Sequence, residues 1–281
     1  VSMRTEHLSR ALNTVLALNV RGNRGERFGR SSAGIGDLDG DGVPDAAVGT
    51  SRDNDGDQHA GSVYIIFMKR NGNIKKAQKI SALYGFDTSG PGAPQLQEED
   101  RFGYSVGNIG DVNGDGVTDL VVGADGDMDG ADISLLLSES RSRSGSRSGS
   151  GSDESSSKVV TPGAVYILFM HTDGTVKDWQ KISNTAGGLA FALNETNPLG
   201  IDAQFGQSSA GVGDLDGDGI PDIAVGAPNS NHQDGAVWFI CLTRNGTVKS
   251  ATWALPEEAV GLKGSFGGRG IANLGKLTQA R

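Results

Sequence analysis

One cysteine, Cys241, occurs among 281 residues, so no intrachain disulfide can staple this chain. Aromatic residues make up only 6%, and no run of about 18 apolar residues exists to cross a membrane as a helix. No secretory leader is expected at Val1. The four histidines (His7, His59, His171 and His232) form no His-Glu-x-x-His pattern, and no phosphate-binding glycine loop or dinucleotide fingerprint is present. These absences exclude the His-Glu-x-x-His metallohydrolase and nucleotide-binding signatures, and the reading is of a chain that is not an enzyme. Cationic surface is also scarce: the net charge is −9, which argues against a nucleic-acid partner.

What is abundant is glycine, with 44 residues, and aspartate in a recurring arrangement. Three loops share one spacing: Asp37-Leu-Asp39-Gly-Asp41-Gly-Val43-Pro-Asp45, Asp111-Val-Asn113-Gly-Asp115-Gly-Val117-Thr-Asp119 and Asp214-Leu-Asp216-Gly-Asp218-Gly-Ile220-Pro-Asp222. Side-chain oxygens fall at positions 1, 3, 5 and 9, and an apolar residue at position 7 offers only its carbonyl. That pattern wraps one hard cation in oxygen and predicts three Ca²⁺ sites. Mg²⁺ fits less well because it demands a smaller octahedral shell, and Zn²⁺ is disfavoured by the lack of nearby Cys or His. The eleven loop aspartates explain the acidity, and three bound Ca²⁺ would bring the net charge to about −3. Asn113 lowers the charge of the second loop by one, so that site is expected to be the weakest. Two further acidic runs, Asp53-Asn-Asp55-Gly-Asp57 and Asp125-Gly-Asp127-Met-Asp129-Gly-Ala-Asp132, are candidates for an additional cation.

A longer unit surrounds each loop. It opens on Phe28-Gly29, Phe102-Gly103 and Phe205-Gly206, each nine residues ahead of the first loop aspartate. After the loop come Ala46-Ala-Val48, Leu120-Val-Val122 and Ile223-Ala-Val225, then the apolar runs Gly61–Phe67, Gly163–Phe169 and Gly235–Cys241. Those runs suit strands covered on both faces, which places Cys241 in the core. Asn71-Gly72, Asp173-Gly174 and Asn245-Gly246 are hairpin signals, followed by fourth strands near Gln78–Ile80, Gln180–Ile182 and Thr252–Leu255. Four antiparallel strands per unit predict an all-β fold, a β-propeller of four-stranded blades. Blades are expected at about 26–82, 100–183 and 203–256. A partial blade at 264–281 and a lone strand at Asn13–Leu18 leave two readings open, an excerpt of a larger propeller or a small ring closed by its own ends or another chain.

The Phe-Gly opening, the acidic loop and the Gly-Ala-Pro ending at Gly226–Pro228 resemble the FG-GAP repeat of integrin α-subunit propellers, and related repeats occur in glycosylphosphatidylinositol-specific phospholipase D. The resemblance implies Ca²⁺ in loops that join the first and second strands on one face of the disc. It implies partners on the opposite face, where Tyr84, Phe86 and Phe191 are the apolar candidates, although each is expected to pack its own connector. His59 and His232 are expected to be exposed. The segment 133–160, rich in Ser, Gly and Arg, is expected to be a flexible insertion. The functional expectation is an extracellular or cell-surface scaffold for recognition or adhesion, stabilised by Ca²⁺, that binds protein or glycan. The alternative is a non-catalytic domain of a larger secreted enzyme, or a component of a surface assembly. Asn194-Glu-Thr196 and Asn245-Gly-Thr247 are acceptor sequons for glycosylation.

Overall fold

The computed structural model describes residues 25–129, 161–195, 197–230, 235–254 and 270–271. Their strands form three four-stranded antiparallel sheets. The first holds β1 (Phe28–Gly36), β2 (Asp45–Thr50), β3 (Ser62–Met68) and β4 (Ile74–Ser81). The second holds β5 (Ser105–Gly110), β6 (Asp119–Ala124), β7 (Ala164–Met170) and β8 (Val176–Ile182). The third holds β9 (Ser208–Gly213), β10 (Asp222–Ala227), β11 (Ala236–Leu242) and β12 (Val248–Ala254). A five-residue helix, α1 (Leu189–Leu193), lies between the second and third sheets in the chain. Each sheet is a propeller blade. The strand expected at Asn13–Leu18 and the insertion at 133–160 lie outside the described residues; of the partial blade expected at 264–281 only residues 270–271 are described, and they are not in a strand.

Local chemistry repeats from blade to blade. The third and fourth strands join through the expected turns, where the side chains of Asn71 and Asp173 accept from the backbone N–H two residues on. A register shift recurs beside each acidic loop, at Gly34/Gly36, Asn108/Gly110 and Asp222/Ile223. This bulge turns the chain out of the ladder and into the loop.

The core lies between blades. Val63, Ile65 and Phe67 of β3 meet Tyr166, Leu168 and Met170 of β7 in one cluster, while Val165, Ile167 and Phe169 meet Trp238, Ile240 and Leu242 of β11 in the next. Both faces of β7 are therefore covered, and all seven of its residues are buried. The outermost sheet differs. Val237, Phe239 and Cys241 face away from the middle blade, and no further sheet among the described residues covers them. Cys241 is half-buried, not a core residue as its apolar run suggested.

The Phe-Gly pairs latch one blade to the previous one. Phe102 donates its N–H to the Ala60 carbonyl at 2.8 Å, and Phe205 to Pro162 at 2.9 Å. Ser31 and Ser105 hydroxyls then donate to the Gly103 and Gly206 carbonyls. This approach requires bare backbone opposite. A Cβ on Gly49 would stand 2.0 Å from the Gly103 carbonyl oxygen, and one on Gly123 1.9 Å from that of Gly206. Gly123→Ala is accordingly expected to lower stability by about 3 kcal/mol through enforced separation of the second and third blades. Gly34→Ala, at a site with open space around the added methyl, should change little. Urea midpoints measure both; an unchanged midpoint for Gly123→Ala would contradict the latch.

Candidate metal centre

The first aspartate of each loop organises its backbone. Asp37 accepts from the N–H groups of Asp41 (3.0 Å) and Gly42 (2.6 Å). Asp111 accepts from Gly114, Asp115 and Gly116, and Asp214 from Gly217, Asp218 and Gly219. The chain can curl this tightly because position 6 is glycine at φ 79°, 86° and 82° (Gly42, Gly116 and Gly219). Position 5 closes the curl: Asp41, Asp115 and Asp218 each accept through Oδ1 from the N–H of Val43, Val117 and Ile220.

The ninth residue ties the loop to the sheet. Asp45 accepts from Leu38 N–H through one oxygen and from Met68 N–H, at the end of β3, through the other. Asp119 does the same with Val112 and Met170, and Asp222 with Leu215 and Leu242. All three carboxyls are buried. Burial pushes Asp119 up to about 7 against those two hydrogen bonds, and raises Asp222 as well. A carboxylate oxygen retains a second lone pair after one such bond, so the tie does not disqualify these residues as ligands.

Carboxylate oxygens of Asp37, Asp39 and Asp45 lie within 4.8 Å of one another, as do those of Asp214, Asp216 and Asp218. Asp39 Oδ1 is buried and has no hydrogen-bond partner, while the other oxygen of that carboxylate accepts from Lys75. The donor set is all oxygen. The residues present therefore fit a hard divalent cation, and those that would hold it are the fifteen at positions 1, 3, 5, 7 and 9, with Val43, Val117 and Ile220 offering carbonyls.

Sequence reasoning missed the lysines. Lys75, the second residue of β4, reaches Asp39 (2.9 Å) and Asp41 (2.5 Å). Lys249, the second residue of β12, reaches Asp216 (2.7 Å) and Asp218 (2.6 Å). Lys177, the second residue of β8, pairs with Asp115. The hydrogen bond from Lys75 holds Asp41 below the usual carboxylate range, and Lys249 does the same to Asp218. The signal was present as Ile74-Lys75, Val176-Lys177 and Val248-Lys249, three copies at one offset from the hairpin.

The two supplementary acidic runs are each already paired with lysine. Asp53 and Asp55 hold Lys79 at 2.7 and 2.6 Å, and Asp127 and Asp129 hold Lys181 at 2.8 and 3.3 Å. Lys79 also stands over Tyr64, and Lys181 over Tyr166. The third blade corroborates this pairing. At the corresponding positions its sequence has Ser230 and His232 in place of the aspartates, and Trp253 in place of the lysine. There Trp253 stacks on Trp238 with ring centroids 5.2 Å apart. In both clusters a largely buried lysine that lies over a tyrosine ring holds the carboxylates; Asp132 lies outside the described residues.

Other expectations shift too. His59 is half-buried and pairs with Glu99 at 2.6 Å, so it is not a free surface side chain; His232 lies outside the described residues. Phe86 packs on the core beside Val176, whereas Tyr84 and Phe191 project into solvent, Phe191 at 91% exposure. Gly103-Tyr-Ser105-Val-Gly107 has the spacing of a nucleophile elbow. Ser105 nevertheless lies in strand β5, its hydroxyl 2.8 Å from both the Gly206 carbonyl and the Ser209 hydroxyl, and among the described residues no histidine is hydrogen-bonded to it.

Blades of four antiparallel strands, latched by Phe-Gly pairs and each bearing a glycine-kinked acidic loop between its first two strands, define a β-propeller of acidic-loop repeats. The chain carries three FG-GAP repeats: the FG-GAP repeat family matches residues 28–66, 102–134 and 205–240. It is similar to integrin alpha-PS5 of Drosophila melanogaster (30% identical over 207 residues, 73% of this chain and 15% of the relative). It is also similar to integrin alpha-V of Gallus gallus (30% over 197 residues, 70% and 13%) and to integrin alpha-7 of Mus musculus (35% over 170 residues, 59% and 10%). The chain thus spans 10–15% of the length of these relatives. Among the described residues, no helix is long and apolar enough to cross a membrane.

Two buried carboxyls near the second cluster give the chain a pH dependence. Burial raises Asp100 to about 7, and raises Asp125 to about 6 against the partial relief of Arg101. Both hold a proton in the folded chain at pH values where the unfolded chain, with carboxyls near 3.8, has released it. Their contribution is therefore largest at about pH 4 and is lost as pH rises through about 6 and 7. Asp100→Asn, which keeps the oxygen that accepts from Gln97 N–H, should raise the urea midpoint at pH 8 and flatten its fall between pH 5 and 8. An equal or steeper fall would contradict this assignment.

Proposed function

We propose that this chain is a calcium-stabilised scaffold for recognition or adhesion, working outside the cell or at its surface, that binds protein or glycan. The observation that carries this reading is the recurrence of one oxygen-lined loop, with the same hydrogen bonds, at the same end of three consecutive blades in a chain similar to integrin α subunits. Ca²⁺ would neutralise each loop and link its curl to the ninth-position aspartate, and through that residue to the third strand. The blades proposed are 26–82, 100–183 and 203–256. Further blades or a further chain would cover the half-buried face of β11.

Antiparallel order puts the second-to-third-strand connectors and the blade-to-blade connectors at the end opposite the metal loops. Tyr84 and Phe191 lie there, apolar and exposed, and are the proposed contact residues. Asn194, exposed at the end of α1, is the sequon proposed to be glycosylated. Arrays of glycans and extracellular proteins, probed with calcium and with chelator, test the reading. Binding should disappear with chelator and weaken in Tyr84→Ala/Phe191→Ala, whereas structure and binding indifferent to calcium would contradict it. Calorimetric calcium titration of Asp39→Asn, Asp115→Asn and Asp216→Asn, each crippling one loop, should show that the Asn113 loop is the weakest of three sites. If the Asn113 loop proves tightest, charge count does not rank them.

A further inference from the structure

Among the described residues, five acidic clusters are paired with lysine, and they fall into two classes. Lys79 and Lys181 are only 23% and 21% exposed, lie over tyrosine rings, and disappear from the third blade together with their aspartates. Lys75, Lys177 and Lys249 are 37%, 38% and 42% exposed, and each is held by loop carboxylates alone. Each of these ammonium groups hangs from its strand on a flexible four-carbon stem.

The oxygens involved make the exposed lysines competitors of a metal. On Asp41 and Asp218 the Oδ1 atom accepts from the position-7 N–H, so Oδ2 has the freer lone pairs. That Oδ2 is the atom the lysine holds, together with Oδ2 of the position-3 aspartate in the first and third loops. A divalent ion about 2.3–2.6 Å from the same oxygen would sit beside an ammonium of like charge. The second loop differs, because Asn113 turns its amide onto Asp115 Oδ2 at 3.1 Å and leaves Lys177 one carboxylate.

We propose that Lys75, Lys177 and Lys249 are tethered counter-cations that compete with Ca²⁺ for the third and fifth loop positions, and so set the calcium concentration at which each loop fills. This rests on the calcium reading above. Lysine keeps the loop carboxylates neutralised at low calcium, and calcium releases the amine to solvent.

Calorimetric titration of the full 281-residue chain with Ca²⁺ alone, at low salt, tests this. Lys75→Met/Lys177→Met/Lys249→Met should bind roughly fivefold more tightly in the first and third loops, with a smaller gain in the second. Lys79→Met/Lys181→Met should show no such gain. Equal affinity in wild type and the triple variant, or an equal gain from the control pair, overturns the proposal while leaving the calcium reading intact. Absence of binding in both wild type and the triple variant overturns the calcium reading and the proposal with it. Acetylation of wild-type lysines, read by mass spectrometry, keeps the test open if the triple variant does not fold. Calcium should speed labelling of Lys75, Lys177 and Lys249 several-fold and leave Lys79 and Lys181 unchanged; unchanged or slower labelling at the first three overturns it. General tightening of the fold would slow labelling, so acceleration at those three separates release from stabilisation.

Discussion

Repulsion among carboxylates held close together is the constraint on which this structure depends. Each loop brings four acidic or amide side chains into one tight curl, and without compensation that curl would open. Compensation comes in layers. Backbone N–H groups converge on the first aspartate, position-7 N–H groups on the fifth, and strand-end N–H groups on the ninth. Lysines from the fourth strand then supply full positive charge. The one oxygen in the first loop that nothing satisfies, Asp39 Oδ1, marks where that internal supply ends.

The loop and the blade are mechanically one unit. The ninth aspartate begins the second strand, caps the third and anchors the loop, so tension in the curl passes directly to the sheet. The sheets in turn lock to one another through Phe-Gly pairs that require glycine opposite them. The exposed connectors at the far end of the blades thus stand on strands that are tied together at the acidic end.

Much of this was legible in the sequence because it is periodic and local. The repeat, the strand count and the loop curl follow from residues within a few positions of each other. What was missed depends on contacts between distant segments. Lys75 meets Asp41 across an entire hairpin pair, and only the fold shows that Lys79 already pairs with Asp53 and Asp55. Cys241 reads as core because its run is apolar, yet its burial depends on whether a neighbouring sheet covers that face. His59 reads as a surface residue until Glu99, 40 positions away, is brought against it.

Anomalous diffraction from crystals of this chain grown with calcium is the most direct measurement. Three ion peaks are predicted, each within contact distance of the carboxylates at positions 1, 3 and 5 and of the position-7 carbonyl, with the fourth-strand lysine turned outward. Loops without a peak at saturating calcium, or aspartates splayed into solvent around the same backbone, would contradict the view that these curls exist to be closed by a divalent cation.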